Sequence, residues 1–316
     1  MTLLLAIAVS LLLASRAHAV SDDFSTNPLA GGSPWSFGLG SNANGQFSWS
    51  PGELTVHIDT SLPTARLDLP LGITLGDSSS FLLSARFSFH VTSAPGDQFG
   101  NLSFGLTNHT LSGGDRTGTP MDFNSANTYH TVEFDYFPNV SDIFGGPTLS
   151  PAVFGGPDGS AFNNFASIFG PDSVLGDNTV GVTSLTQDVP LEAQLAYDGG
   201  TKTLTLNMYS VGPSESLTLI NTELVPLDID AFGTSYDPFN PFQVDTLSIM
   251  AYQDGFTTPQ APSLLADVTF HSIGVSLVPE PSALVLSSLG LLGVAAMAVV
   301  RGRRRRSELR VRVLTR

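Results

Sequence analysis

Phe81-Leu-Leu-Ser-Ala-Arg-Phe-Ser-Phe-His-Val91 is the stretch whose reading decides the fold of this chain. In its second half Ala85, Phe87, Phe89 and Val91 alternate with Arg86, Ser88 and His90. Successive side chains of a strand point to opposite faces, so this alternation predicts a strand lying on a core. Working outward, comparable short runs recur at Glu53–Asp59, Asn101–Thr107, His130–Phe137, Leu191–Tyr197, Thr203–Val211, Val244–Tyr252 and Asp267–Leu277. Clusters of Gly, Pro, Asn, Asp and Ser separate them, and Tyr197-Asp-Gly-Gly-Thr-Lys-Thr203 has the composition of a hairpin turn between two strands. No stretch between Ser21 and Leu277 sustains a 3.6-residue period, and 31 Gly with 21 Pro are too many for long helices. The expectation is an all-β domain, a sandwich or jelly roll.

Segment 139–180 stands apart. It contains Gly-Gly-Pro at 145–147 and again at 155–157, with Phe154, Phe162, Phe165 and Phe169. A structureless loop of that length is uncommon in a compact domain, so it reads as an ordered insertion held down by its rings. The alternative is an aromatic platform that stacks on sugar faces.

The charges are unevenly placed. The chain of 316 residues has 13 Lys+Arg, 28 Asp+Glu, no Cys and a net charge of −15. Between Val20 and Val278 there are 26 acids and four bases (Arg66, Arg86, Arg116 and Lys202), a body of −22. Residues 301–316 hold eight Arg and one acid, a tail of +7. Such a body cannot cover a phosphate backbone, which excludes nucleic acid as its partner. Without cysteine there is no disulfide framework, thiolate metal site or thiol nucleophile.

Both ends read as addresses. Leu3–Leu13 is an apolar run, and Ala17-His18-Ala19 supplies small residues at Ala17 and Ala19, so residues 1–19 are expected to be a signal peptide cut after Ala19. At the other end Pro279-Glu280-Pro281 (segment 278–281) precedes residues 283–300, which carry no charge, and then Arg301-Gly-Arg-Arg-Arg-Arg306. As a helix, 283–300 would be ~27 Å long, enough for one transmembrane crossing, with the 301–316 tail in the cytoplasm. The domain between the two signals is residues 20–277.

The densest candidate site is His130-Thr-Val-Glu-Phe-Asp-Tyr-Phe-Pro-Asn-Val-Ser-Asp142. On a strand Glu133 and Asp135 share a face, ~6.6 Å apart along the chain. Asn139 and Asp142 follow, and a hard cation such as calcium takes roughly six to eight oxygens from such groups and from backbone carbonyls. The alternative is a solvated acidic face. There is no Gly-x-Ser-x-Gly elbow, phosphate loop or His-Glu-x-x-His, and the histidines are scattered, His90 and His130 falling in strand patterns.

Two resemblances add to this. Pro-Glu-Pro, a short apolar span and an Arg cluster in that order resemble the PEP-CTERM sorting signal of Gram-negative, biofilm-forming bacteria, over about residues 278–306. It implies an exosortase as processing partner, cleavage near Pro279, Glu280 and Pro281, and retention by Arg303, Arg304, Arg305 and Arg306 until then. The destination implied is the cell surface or the exopolysaccharide matrix.

Val132-Glu-Phe-Asp135 with Pro138-Asn139 is similar to the metal-binding strand of L-type, legume-like lectins, whose domains are concanavalin A-like jelly rolls. Asn178-Thr-Val-Gly-Val-Thr-Ser184 and Gln194–Leu206 resemble later elements of that family, in the same order. The resemblance implies a transition-metal ion on Glu133 and Asp135, and calcium on Asp135, the Phe137 carbonyl and Asn139. Asp142, Asp172 and Asp177 are the candidates for a further calcium carboxylate. It also implies polysaccharide binding by Asn139, with Asp97 and Asn101 nearest to the family's sugar-binding positions. The chain departs from the pattern at Phe144, where that carboxylate is expected, and at Asn178-Thr179, where a histidine is. Laminarinase-like glycoside hydrolases share this jelly roll, but they require a Glu where Pro138 stands, so catalysis is not expected. A purely structural or adhesive matrix protein is the remaining alternative.

Overall fold

The computed structural model describes residues 19–76, 78–93, 100–109, 130–138, 147–154, 161–163, 185–226, 242–253 and 263–278. Its strands in chain order are β1 (Ala19–Asp22), β2 (Ser36–Leu39), β3 (Phe47–Ser50), β4 (Glu53–Asp59) and β5 (Ala65–Gly76). Then come β6 (Phe81–Ser93), β7 (Gly100–Thr107), β8 (Thr131–Phe137), β9 (Thr148–Phe154) and β10 (Ala161–Asn163). The last five are β11 (Leu191–Asp198), β12 (Thr203–Val211), β13 (Leu217–Pro226), β14 (Gln243–Gln253) and β15 (Leu265–Leu277).

These strands form two sheets, antiparallel at every pairing described. The first sheet has the order β13-β12-β11-β6-β15-β4-β3, with β1 also on β15. The second has the order β10-β9-β8-β7-β14-β5-β2. The two orders are nested: the consecutive strands β2/β3, β4/β5, β6/β7 and β14/β15 hold the same place in opposite sheets. A chain that crosses repeatedly between sheets in this way is a jelly-roll sandwich, the expected all-β class. It lies in the compact unit His18–Leu277.

β6 shows why. Its residues alternate buried and half-buried from Phe81 to Phe89. The buried set meets the second sheet: Phe87 stacks on Phe104 of β7 at 5.5 Å, and Phe104 meets Phe270 of β15 at 5.2 Å. Each such ring, removed from water, contributes about 1.5–3 kcal/mol, so the alternation fixes which way the strand faces. The hairpin also forms as read. β11 and β12 pair from Leu191–Ser210 to Asp198–Thr203, and Asp198 accepts from Gly200 N at 2.8 Å.

Segment 139–180, read as one ordered insertion, contributes β9 and β10 to the second sheet beside β8. Phe165 and Phe169 lie outside the described residues. The structure also adds two strands that the sequence pattern does not mark. The alternation does not mark β5, because Pro70 and Gly72 interrupt it. A proline lacks the N–H that a ladder needs, and β5 accommodates it where its register with β14 breaks. Nor does it mark β13, because Leu219 and Ile220 are adjacent and spoil the alternation. Opposite Met208 and Tyr209 the register skips Ile220, the extra residue of a bulge.

Ala19, the last residue before the expected signal cleavage, opens β1 opposite Ser276. Ala17, Pro279, Glu280, Pro281, Arg303, Arg304, Arg305 and Arg306 lie outside the described residues, as does the apolar span 283–300. Among the described residues no helix is long and apolar enough to cross a membrane.

Candidate functional site

β8 is two-faced, and the site follows from that. Val132, Phe134 and Tyr136 point into the core, where Phe134 packs on Phe104 at 5.5 Å and Tyr136 on Phe89 at 5.3 Å. Thr131, Glu133 and Asp135 therefore share the outer face, as period two requires. That face is not a solvated acidic surface: Glu133 is 4% exposed and Asp135 1%. Burying a carboxylate is costly unless hydrogen bonds or counter-charges compensate it.

The neighbouring strands supply small and polar residues at these positions. Ser103 of β7 stands opposite Asp135 and donates its hydroxyl to Oδ1 at 2.5 Å. Gly105 stands opposite Glu133. A Cβ at position 105 would lie 2.5 Å from Glu133 Cα, and its φ of +153° is one that side-chain-bearing residues rarely adopt. Glycine is what lets the Glu133 backbone come this close.

The polar face continues across β14 and β5. Ser248 is opposite Gly105, and Asp68 is opposite Ser248. The Arg66 Nε donates to Asp68 Oδ1 at 2.9 Å and Oδ2 at 3.0 Å, and the Ser248 hydroxyl donates to Oδ1 at 2.7 Å. Arg66, Asp68 and Ser248 are all buried. Gly38 of β2 makes room for the pair, since a Cβ there would stand 1.7 Å from Asp68 Oδ2. The sequence reading missed this cluster. Its signal was Arg66-Leu-Asp68, one of only four bases in the body, two residues from an acid on one strand.

Thus the structure brings Glu133 and Asp135 together with Ser103 and Gly105. Phe137 ends β8, and the backbone of Asn101 lies in β7 opposite Tyr252. Asp97, Asn139, Asp142, Asp172, Asp177 and segment 178–184 lie outside the described residues. Two carboxylates on one buried face suit a hard cation by donor type, although no group of three His, Cys, Asp or Glu fit for a metal occurs among the described residues.

The two histidines of the strand patterns differ in burial. His130 is buried, and its Nδ1 accepts from Gln243 N at 2.8 Å. Burial lowers its pKa, keeping the ring neutral for that bond. His90 sits exposed beside Asp188 at 3.1 Å.

Among solved structures, the chain is similar to peanut lectin with a 9mer peptide, at 11% identity over 84% of this chain and 98% of that one, TM-score 0.43. It is also similar to the Lotus tetragonolobus seed lectin, at 16% identity over 83% and 99%, TM-score 0.44. A third is the exoplasmic/lumenal domain of VIP36 in a Ca2+/Man-bound form, at 12% identity over 83% and 90%, TM-score 0.42. No family model matches the sequence, and no curated protein matches it.

Proposed function

We propose that this chain is an exported, non-catalytic saccharide-binding protein of lectin-like type. The observation that carries this reading is the position of Glu133 and Asp135. They lie side by side and buried on a polar outer face, within the strand whose sequence resembles the lectin metal strand. These carboxylates, the Phe137 carbonyl, Asn139 and Asp142 would hold calcium, with a transition-metal ion beside it on Glu133 and Asp135. Bound calcium would supply positive charge that ties the chain after β8 in place and lets Asn139 and Asn101 present their amides to sugar hydroxyls. No acid follows at position 138, where Pro138 is buried, so a retaining hydrolysis with two carboxyls ~5–5.5 Å apart across the bond has no second partner here.

Delivery belongs to the same reading. The signal peptide 1–19, Pro279-Glu280-Pro281, the membrane helix 283–300 and the Arg tail would make the chain an exosortase substrate at the surface of a Gram-negative bacterium. Its partner there would be extracellular polysaccharide. Mass spectrometry of the exported protein should find no peptide beyond Pro281; a mature form that keeps Val311–Arg316 leaves only a plain membrane anchor.

A glycan array run with and without calcium tests the binding. Wild type should bind in calcium, and Asp135→Ala and Asn139→Ala should lose the signal. No binding by wild type would sink the reading and favour a structural matrix protein.

A further inference from the structure

The outer face of the first sheet carries a hydrogen-bonded chain of three side chains drawn from three strands. β4 alternates, with Leu54, Val56 and Ile58 in the core, so Thr55 and His57 share its outer face. β15 does the same: Val268 is buried, and Asp267 stands outside, directly opposite His57. β3 ends the sheet and pairs Ser48 with Thr55, two residues from His57 on that face. Cross-strand neighbours of this kind lie within side-chain reach. His57 Nδ1 lies 2.7 Å from Asp267 Oδ1, and His57 Nε2 lies 2.9 Å from Ser48 Oγ.

The order of these bonds fixes the direction in which a proton moves. A carboxylate only accepts, so in the neutral ring Nδ1 carries the proton and donates it to Asp267. Nε2 is then the bare nitrogen, and the Ser48 hydroxyl donates to it. A hydroxyl held by a base, with the base oriented by a third group, is the arrangement that activates a nucleophile. The neighbouring histidines have acids of their own. His90 of β6 faces Asp267 in the ladder but lies 3.1 Å from Asp188, and His271 lies 3.7 Å from Glu53. β3 adds a donor. Gln46 O accepts from His57 N at 2.7 Å, so Gln46 and Ser48 turn their backbone groups toward β4, and Phe47 and Trp49 turn theirs away. Asn42 Oδ1 accepts from Phe47 N at 2.8 Å on that side. The Trp49 N–H points the same way, one residue beyond Ser48, where it can meet the oxygen of a carbonyl under attack.

We propose that Ser48 is a covalent modification site, acylated by activated esters with His57 as general base and Asp267 as its positioning residue. Ser48 Oγ forms a bond to the carbonyl carbon and passes its proton to Nε2. The bond from that carbon to the leaving oxygen or sulfur breaks with its electron pair, and the imidazolium returns the proton to the departing group. Exposure decides the class of donor. Ser48 is exposed, and the His57 and Asp267 side chains are 40% and 45% exposed. Water screens the charges that develop, so the site suits an acyl group on a good leaving group, a phenolate or thiolate, and not an alkyl ester. The product is itself an alkyl ester of serine, and for the same reason it persists. The chain is modified once and does not turn over, on the opposite sheet from Glu133 and Asp135.

p-Nitrophenyl acetate added to the full-length protein tests this, read by p-nitrophenolate release and by peptide mass spectrometry. A single p-nitrophenolate per chain should appear, with the acetyl group on Ser48, and release should then stop. Ser48→Ala should lose this burst. His57→Gln should slow acetylation of Ser48 by at least about a hundredfold, the lower end of what a general base supplies. Asp267→Asn lets an amide N–H face Nδ1 and reverses the tautomer, so it should slow acetylation by at least about tenfold. The three side chains are all partly exposed, and the melting temperature of each variant should stay unchanged. Ethyl acetate should leave Ser48 unmodified. No acetyl group on Ser48, equal acetylation of Ser48 in urea-unfolded protein, an unchanged rate in His57→Gln or Asp267→Asn, labelling by ethyl acetate, or sustained turnover would each overturn the proposal.

Discussion

Gly105 shows how much rests on a single missing side chain. The Glu133 backbone passes so close that Gly105→Ala must push β8 away from β7. We expect a loss of about 1–3 kcal/mol, read as a lower urea midpoint. Arg66→Met tests the buried pair differently. It leaves the Asp68 carboxylate without its cation, and stranding a buried charge costs roughly 3–5 kcal/mol. Methionine fills similar space, so a small effect would contradict the role given to this ion pair. At His130 the consequence is a pH dependence. Burial lowers the folded pKa below the ordinary value of 6.5, so the unfolded chain binds more protons in the interval between the two. Its contribution is therefore complete above about pH 6.5 and shrinks as the pH falls toward the folded pKa. The difference in stability between wild type and His130→Gln should narrow over that range; a constant difference would contradict it.

At the scale of elements, β6 and β13 mark the limits of a sequence pattern. β6 alternates and is central, so neighbours at i and i+2 suffice to assign it. β13 is an edge strand of the first sheet with Leu217, Leu219 and Ile220 exposed, and no core disciplines its pattern. β5 was hidden for the opposite reason. Its irregular residues, Pro70 and Gly72, belong to a bulge that has meaning only beside β14. Phe104 sits where β6, β7, β8 and β15 meet, touching Phe87, Phe134 and Phe270. Phe104→Ala should cost about 3–5 kcal/mol, measured by denaturant unfolding. By contrast, Leu219→Lys on the exposed edge should change stability by no more than about 0.5 kcal/mol.

For the whole molecule the charge is decisive. If both terminal signals are removed, the acidic body keeps −22, and its own surface repels an anionic polysaccharide unless cations bridge them. A calcium ion held by Glu133 and Asp135 would stabilise the folded state, by about 2.7 kcal/mol at a hundredfold excess over Kd. The melting temperature should therefore fall in EDTA and recover when calcium is returned. An unchanged value would remove the metal from the site.

The sequence by itself determined the all-β class, most central strands and the shared face of Glu133 and Asp135. Each depends on period two, which is written in residues next to one another. Only the tertiary structure decided that those carboxylates are buried, and that β9 and β10 extend the second sheet beside β8. It alone decided that Ser248 reaches Asp68 across 180 residues of chain. Strand pairing sets those facts. The partner of a residue lies far away in sequence, and its register is chosen by the packing of the whole sandwich.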